Sequence, residues 1–166
     1  MSENNVPDAT IRLWSRPGFL VRRLHQISVA IFMDETAGLG ITPLQFGALS
    51  VLAASPGLDQ STLGAELGID RANVADVVAR LSVGGYVTRH TSESDRRVKN
   101  IYITEAGKAL LHETNARFRN VQSRLLGPLT PQDRETFVGL TMQLIEANNS
   151  LGRAVLRLKR PLGTSE

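Results

Sequence analysis

Cysteine is absent from the 166 residues of this chain. Disulfide bridges, thiolate metal sites and cysteine-based redox switches are therefore excluded. Apolar runs are short, and none reaches the roughly 18 residues of a membrane-spanning helix. The first ten residues, MSENNVPDAT, lack the basic-then-apolar order of a secretory signal peptide. We therefore expect a cytoplasmic protein without a membrane partner.

Catalytic motifs are missing as well. The histidines, His25, His90 and His112, do not form an H-E-x-x-H pair. The sequence contains neither a G-x-S-x-G nucleophile motif nor a glycine-rich loop that would cradle a phosphate. We therefore expect no enzymatic activity, no cofactor and no metal ion.

The charge of the chain is nearly balanced. Lys and Arg total 19, Asp and Glu total 16, and the net charge is +3. So small an excess does not by itself indicate a polyanionic partner, and the positions of the cations matter more than their sum. With 42% hydrophobic residues, the chain is long enough for one compact domain with its own core.

Helix-start and helix-stop signals divide the first part of the chain. Apolar residues recur at helical spacing from residue 18 to 32, and the glycines in GLG, at 38–40, are expected to end this helix. Thr42 followed by Pro43 predicts the start of a second helix, with a capping box closed by Gln45.

Later helices are predicted in the same way. Asp59 and Asp70 are N-cap candidates for a short third helix and for a fourth helix that ends at a glycine pair. Thr104 is expected to start a long helix that runs to about Leu126. Thr130, followed by proline, predicts a last helix that reaches the mid-150s. The terminal residues, RPLGTSE, are expected to be disordered.

The middle of the chain has the order of a winged helix-turn-helix. A short helix, a tight turn at GID, a second helix and a two-stranded hairpin follow one another. In the second helix, positions i, i+3, i+4 and i+7 are occupied by Val74, Val77, Val78 and Leu81. This spacing predicts that the four side chains are buried together. In such a unit the second helix enters the major groove of DNA.

The outward face of that fourth helix is a candidate for base reading. It carries Ala72, Asn73, Asp76 and Arg80, with Arg71 beside the first turn. Small residues let a helix approach base edges, Asn pairs with adenine, Asp accepts from cytosine, and Arg reaches guanine or phosphate. The alternative is a solvated face on an ordinary core helix, because helical periodicity is common.

The loop between the two strands, RHTSESDRRVKN at 89–100, is long and charged. A hairpin that served only the core would favour a two-residue turn. This loop instead carries Arg96, Arg97 and Lys99 at its far end. A basic finger beside a groove-reading helix can insert an arginine into the minor groove. A solvated loop is the usual meaning of a charge run, but it does not explain the position next to a helix-turn-helix.

These motifs resemble the MarR family of transcriptional regulators. The strongest likeness is SDRRVKNIYITEAG, which is similar to the wing of that family. LGID and VVARLSVGGYVTR are similar to its recognition helix and the strand that follows. The resemblance covers about residues 37–112. It implies a mostly α-helical fold with a small β-hairpin wing, in a single MarR-like domain over residues 1–166.

The resemblance also implies an organisation of the chain. The winged helix-turn-helix would occupy about residues 40–103, and the helices in about 11–38 and 104–158 would form a homodimer. The winged helix-turn-helix units of the two protomers, one lobe each, would then bind a pseudo-palindromic operator in double-stranded DNA. Repression is the family default. The candidate apolar dimer surface comprises Leu20, Leu24, Ile27, Phe137, Leu140, Leu144 and Ile145.

Carried over by position, Arg97 would be the wing arginine in the minor groove, and Asp95 would brace it. The chain departs from the family pattern at Asp76, where arginine is frequent, and at Ala72, where Ser or Thr is frequent. A carboxylate facing phosphates is unfavourable unless it reads a cytosine amine or pairs with Arg80 or Arg71. The operator sequence therefore does not follow from the resemblance.

The family usually senses aromatic carboxylates, or oxidants through cysteine, and the lack of cysteine leaves a ligand. A carboxylate favours a guanidinium fork and a ring favours apolar walls. The candidate ligand-binding residues on the first two helices are Phe19, Arg22, Arg23, His25 and Phe46. The same arginines could form dimer salt bridges, and the phenylalanines could belong to the core.

The expected function is therefore a repressor that an aromatic carboxylate, or its CoA thioester, releases from DNA. The alternative is a winged-helix protein-interaction module without a small-molecule inducer, which would not need the wing arginines.

Overall fold

The computed structural model describes residues 13–92 and 96–157. Its elements are α1 (Pro17–Glu35), α2 (Pro43–Ala54), β1 (Leu58–Asp59), α3 (Gln60–Leu67), α4 (Arg71–Val83), β2 (Val87–Thr91), β3 (Lys99–Ile103), α5 (Glu105–Leu126) and α6 (Pro131–Asn148). The three strands form one antiparallel sheet in the order β1-β3-β2. The mostly α-helical fold with a small β wing is thus confirmed. In the part of the chain that the structure describes, no helix combines the length and apolar character that a bilayer crossing requires.

The predicted N-caps are confirmed at every helix start for which the sequence indicated one. Side-chain oxygens accept backbone N–H groups of the first turn at Thr42, Asp59, Asp70, Thr104 and Thr130. Thr42 also forms the predicted capping box, because Gln45 Oε1 accepts the backbone N–H of Thr42 at 2.9 Å. These local bonds fix where the helices begin.

Two helix ends and one strand differ from the sequence-based predictions. α1 ends at Glu35, ahead of the glycines at 38–40, and Thr36 is its C-cap. The prediction that α6 reaches the mid-150s is wrong, since α6 ends at Asn148 and the Asn149 side chain binds the backbone of Leu156 instead. The two-residue strand β1 was not predicted, because so short a segment has no periodicity. The terminal RPLGTSE lies outside the described residues.

The core lies beneath α4. Val74, Val77, Val78 and Leu81 are buried, each at most 5% exposed, as their spacing predicted. They belong to one apolar cluster that extends into α1, α2, α3, β3 and α5. α4 therefore presents its other face to solvent.

The wing is fixed to the start of α5 by backbone contacts. β2 pairs with β3 from Val87 opposite Ile103 to Thr91 opposite Lys99. The Thr104 backbone N–H donates to the carbonyl oxygen of Tyr86 at 3.0 Å, and the Thr104 hydroxyl donates to that of Gly85 at 2.7 Å. The hairpin is thus held at its base, and Arg97, after the gap in the described residues, lines a cleft together with Arg71 at the start of α4.

Candidate nucleic-acid interface

The outward face of α4 is accessible along its length. Ala72, Asn73 and Asp76 are exposed, as are Arg71 before them and Arg80 behind them. The first turn is regular because Asp70 Oδ1 accepts the Asn73 backbone N–H at 3.0 Å. The helix therefore offers small and polar side chains to a groove without disturbing its buried face.

Asn73 has a second contact with its cap. Its side-chain nitrogen, Nδ2, donates to Asp70 Oδ2 at 3.0 Å. Bidentate pairing with adenine needs both the amide oxygen and the amide nitrogen of an asparagine. The bond to Asp70 would therefore have to open, or be shared, for Asn73 to pair with an adenine.

The carboxylate of Asp76 pairs with Arg80 rather than with Arg71. Arg80 Nε donates to Asp76 Oδ2 at 2.8 Å across one helical turn, and both side chains are largely exposed, 69% and 60% respectively. Such exposed pairs contribute only about 0.3–0.5 kcal/mol to stability. The pair therefore does little for folding and offsets the charge that Asp76 would bring near phosphates.

A cleft of about 210 Å³ separates the wing from the starts of α3 and α4. Its lining residues are Asp59, Gln60, Ser61, Arg71, Arg89, Arg97, Val98 and Lys99. Four of these are cations and one is an acid, so the cleft attracts anions. Arg89 was missed by sequence reasoning because only the strand register brings this residue to the cleft.

The predicted wing residues take different positions. Arg97 lines the cleft, whereas Arg96 is exposed in the turn and does not line it. Lys99 Nζ donates to the hydroxyl of Thr91 at 2.6 Å, across the two strands of the wing. Asp95 lies outside the described residues, so its role as a brace for Arg97 stays a prediction.

Asp59 is the acid of this cleft and also the N-cap of α3. The backbone N–H of Thr62 is the main cause that holds the pKa of Asp59 below its ordinary value, with further help from the Thr62 hydroxyl and the Ser61 N–H. Burial opposes this effect. The side chain is therefore a carboxylate at neutral pH, and it is committed to the helix start.

A second cavity, of about 430 Å³, lies between α1, α2, α5 and α6. It is lined by His25, Ser28, Val29, Phe32, Pro43, Phe46, Phe118, Val121, Gln122, Leu125, Leu126 and Phe137. Three rings form an aromatic cluster in its wall, with centroids 5.8 Å apart for Phe32 and Phe46 and 5.1 Å apart for Phe46 and Phe118. Its chemistry suits a flat apolar ring.

The predicted ligand-binding residues are divided by the structure. His25 and Phe46 line this cavity, but Phe19, Arg22 and Arg23 do not. The Arg22 guanidinium instead lies 5.1 Å from the centroid of the Phe19 ring, in a cation–π contact. Arg23 lines a separate surface groove between α1 and Arg124.

The α5 wall of the cavity, which includes Phe118 and Gln122, was missed by sequence reasoning. α5 lies far along the sequence from α1 and α2, and its amphipathic pattern indicates only that one face is buried. Nothing in the sequence separates the residues that line a cavity from those that fill the core.

The geometry can be compared with known proteins. A protein-family model described as the MarR family matches residues 39–98. A putative transcriptional regulatory protein for the hcr operon of Thauera aromatica is 32% identical over 105 residues, 63% of this chain and 63% of that relative. The alignment thus spans less than two thirds of the relative's length.

Solved structures extend the likeness to most of the chain. PcaV from Streptomyces coelicolor, in complex with its natural ligand, superimposes with a TM-score of 0.76 at 30% identity, over 81% of this chain and 95% of that one. The chain belongs to the MarR family. Bordetella bronchiseptica BpsR, solved to explain how 6-hydroxynicotinic acid regulates its DNA binding, has a TM-score of 0.75 at 27% identity, over 78% and 93% of the two chains.

Membership of the MarR family confirms the resemblance that the sequence motifs indicated. The family model ends at residue 98, so it contains α2, α3, α4 and β2 and stops just before β3. The walls that α1, α5 and α6 contribute to the 430 Å³ cavity lie outside this match. PcaV, which superimposes on most of the chain, is a transcriptional regulator.

Proposed function

We propose that this chain is a homodimeric repressor that binds a pseudo-palindromic operator in double-stranded DNA. One observation carries the proposal: the exposed face of α4 and the basic cleft of the wing meet at Arg71, so they form one surface. A helix of this kind fits a major groove, and a basic wing fits the neighbouring minor groove. BpsR, a relative with the same fold, has its DNA binding regulated by a ligand.

Apolar surface on α1 and α6 supports a dimer. No residue of α6 is buried against the described part of its own chain. Six of the seven predicted dimer residues are exposed large hydrophobic side chains: Leu20, Leu24, Ile27, Leu140, Leu144 and Ile145. The seventh, Phe137, is half-buried and lines the 430 Å³ cavity instead. Leu20 and Leu24 share one face of α1, and Leu140 and Leu144 share one face of α6, because residues four apart are neighbours on a helix. Exposed apolar patches of this kind indicate a protein partner. A second copy is the partner whose two-fold symmetry would match a pseudo-palindrome with half-sites about one helical turn apart.

Fluorescence anisotropy tests DNA binding directly. The titrations use a duplex from the DNA that flanks the protein's own gene and a random duplex of equal length, each at several salt concentrations. We expect tighter binding to the first duplex and a steep loss of affinity with salt. Arg97→Ala should weaken operator binding by about 1–3 kcal/mol and flatten the salt dependence by about one charge per lobe.

Arg119→Ala is the matched control, because Arg119 is an exposed arginine of α5 and does not line the wing cleft. This variant should bind like the wild type. Equal binding by the wild type and Arg97→Ala at every salt concentration would contradict the wing assignment. A wild type that binds neither duplex would favour the protein-interaction module instead.

The effector that we propose is an aromatic carboxylate, and the 430 Å³ cavity would hold its ring. Pockets for small ligands combine apolar walls with a few polar groups, and this cavity has that composition. Among the described residues that line it, His25 is the one ionisable side chain, so we assign the carboxylate to its imidazole. BpsR responds to an acid of this class, 6-hydroxynicotinic acid. In a CoA thioester, the CoA portion would extend beyond the cavity.

Release of DNA requires only a difference in affinity. The cavity joins α2, a helix of the winged domain, to α1, α5 and α6, which we assign to the dimer. A ligand that prefers a lobe spacing unsuited to two successive major grooves would weaken DNA binding, and DNA would weaken the ligand by the same factor. A coupling of about 1–3 kcal/mol corresponds to roughly 5–150-fold release.

Calorimetry with benzoate, hydroxybenzoates, hydroxycinnamates and their thioesters, with and without operator, tests this step. We expect one of these classes of compound to bind the free protein more tightly than the DNA-bound protein. His25→Ala should weaken that ligand, whereas Arg23→Ala, on the same helix but outside the cavity, should not. The opposite pattern would move the site to the outer face of α1, near Arg22 and Arg23.

A further inference from the structure

The segment that follows α6 turns back onto the helix-turn-helix of its own chain. A 3-10 turn, Asn149–Leu151, follows α6. Asn149 then clamps the chain at Leu156: its Nδ2 donates to the Leu156 carbonyl oxygen at 2.8 Å, and its Oδ1 accepts the Leu156 backbone N–H at 2.9 Å. At the far end, the Arg157 backbone N–H donates to the carbonyl oxygen of Ala65, in α3, at 2.7 Å.

The segment that follows α6 packs against the turn between α3 and α4. Gly68 caps α3 in the left-handed conformation, with φ of +65°, where a side chain would be strained. A Cβ on Gly68 would also lie 3.3 Å from the Cβ of Leu156, so the bare backbone of the glycine admits the returning chain. The segment is therefore attached to the end of α3 and to the turn, and the outward face of α4 stays exposed.

The returning segment places Arg153 beside the DNA-facing surface. Together with Ala154 and Val155, Arg153 forms one wall of a groove of about 270 Å³ whose other wall comes from α3 and the start of α4. Gln60, Ser61 and Arg71 line both this groove and the basic cleft of the wing. The two surfaces are thus continuous, and Arg153 extends the positive charge beyond Arg71.

Acidic neighbours do not cancel this charge. The charged residues that line the groove are Asp70, Arg71 and Arg153. Both oxygens of the Asp70 carboxylate already accept hydrogen bonds from Asn73. The groove therefore has a net positive lining at the N-terminal ends of two helices, where a phosphate is favoured.

We propose that the segment 149–157 is a third DNA-contacting element, in which Arg153 binds a backbone phosphate of the operator and Asn149 holds the segment in place. The proposal rests on the proposed DNA-binding function. The contact is assigned to the phosphate backbone rather than to base edges, because Arg153 lies beside the start of α4 and not on its outward face. Such a contact positions the protein on the duplex and carries no sequence information.

Arg153→Gln tests the contact, since glutamine removes the charge and keeps a polar side chain. We expect weaker binding by the same factor on operator and on random duplex. The slope of log affinity against log salt should flatten by about two units for a dimer, close to 0.9 for each phosphate contact that is lost. A purely structural role would lower affinity and leave this slope unchanged.

Asn149→Ala tests the clamp, because it removes both bonds to Leu156. This variant should reproduce the weaker binding and flatter slope of Arg153→Gln, and the double variant should show no further loss. Asn148→Ala is the matched control, since Asn148 Nδ2 donates within its own helix, to the Leu144 carbonyl oxygen at 2.8 Å, and has no bond to Leu156. Asn148→Ala should keep the wild-type slope.

The outcomes separate this inference from the function on which it rests. If Arg97→Ala weakens binding but Arg153→Gln keeps the wild-type affinity and slope, only the third contact is wrong. If Arg153→Gln or Asn149→Ala tightens binding, the segment shields the surface, and the inference is also wrong. If the wild type binds neither duplex, the inference falls together with the proposed function.

Discussion

Asn73 combines a contact within the fold with a position on the exposed, candidate DNA-reading face of α4. It lies in the first turn of α4, where its backbone N–H is capped by Asp70 and its amide nitrogen also donates to that carboxylate. The backbone bond stabilises the helix start and would survive substitution of the side chain by any residue except proline. The effect of Asn73 on folding can therefore be separated from its effect on DNA.

Asn73→Ala should lower operator affinity by about 1–3 kcal/mol and lower affinity for a random duplex much less. The reason is that alanine removes both groups that can pair with adenine, while the cap of α4 persists. Competition titrations with the two duplexes measure the difference. Asn115→Ala, an exposed asparagine of α5, is the control and should bind both like the wild type. An equal loss on both duplexes would show that Asn73 contacts only the backbone.

Asp59 gives a pH-dependent contribution to stability. Its pKa in the folded protein is held below the ordinary value of 3.8, chiefly by the Thr62 backbone N–H. A lowered folded pKa means that the stabilisation is present above the unfolded pKa and is lost as pH falls through the folded pKa. Asp59→Ala should therefore cost about 1 kcal/mol at neutral pH, as for other N-caps.

The cost of Asp59→Ala should shrink once the pH falls below about 3.8, the value in the unfolded chain. Urea unfolding at neutral pH and at about pH 3 measures both values. Asp59→Asn is the matched control, because its amide oxygen can still cap α3 but does not titrate. A cost of Asp59→Ala that is the same at both pH values would contradict the role of the ionised carboxylate.

At the scale of elements, local signals decided what the sequence could predict. Every predicted N-cap is confirmed because a cap depends on residues within one turn. The buried face of α4 follows from its periodicity in the same way. β1 could not be predicted, since it depends on pairing with β3, which is distant in sequence. The position of Arg89 depends on the register of β2 and β3, which the sequence of the hairpin does not fix.

The junction between the wing and α5 depends on a glycine. A Cβ at Gly107 would lie 2.2 Å from the Tyr86 carbonyl oxygen and 2.8 Å from Ile103 Cγ1. The first of these atoms belongs to the backbone, so it cannot move aside without shifting the hairpin. Gly107→Ala should therefore destabilise the fold by about 1–3 kcal/mol, measured as the change in urea unfolding free energy.

Gly139→Ala is the control for that substitution. Gly139 lies inside α6, and no neighbouring atom is within 4 Å of a Cβ built there. Alanine in a helix interior is more favourable than glycine, so the control should gain about 0.5–1 kcal/mol. If Gly107→Ala were as stable as the wild type, the close packing of α5 against Tyr86 would be wrong.

At the scale of the whole molecule, one apolar cluster joins the two candidate sites. Phe32 and Val121, which line the 430 Å³ cavity, belong to the same buried cluster as Val74 and Val78 beneath the face of α4. Packed interiors deform little. A ligand that moves α1 against α5 would therefore also displace α4. The sequence predicts the helices that meet here, but not the cavity, whose walls come from four separate elements.

The return of residues 149–157 could not be predicted either. The Asn149 clamp and the contact of Leu156 with Gly68 join residues without any periodic pattern. Most apolar side chains of α6, by contrast, were visible in the sequence, and Leu140, Leu144 and Ile145 stay exposed within the described chain. Large exposed apolar side chains that lie together on a surface indicate that a protein partner covers them.

Leu144→Glu tests the dimer that would cover α6. Leu144 is 63% exposed within its own chain, so the substitution should leave the protomer folded. A buried, unpaired carboxylate at a two-fold interface is unfavourable in both copies, and sedimentation should therefore show a monomer. Because one lobe alone loses the effective concentration of the second, operator affinity should fall by about 10²-fold or more. Gln132→Glu adds the same charge at an exposed polar residue in the first turn of α6, far along the helix from Leu144, and should remain dimeric with wild-type affinity. A Leu144→Glu variant that sediments as a dimer and binds the operator normally would place the interface elsewhere.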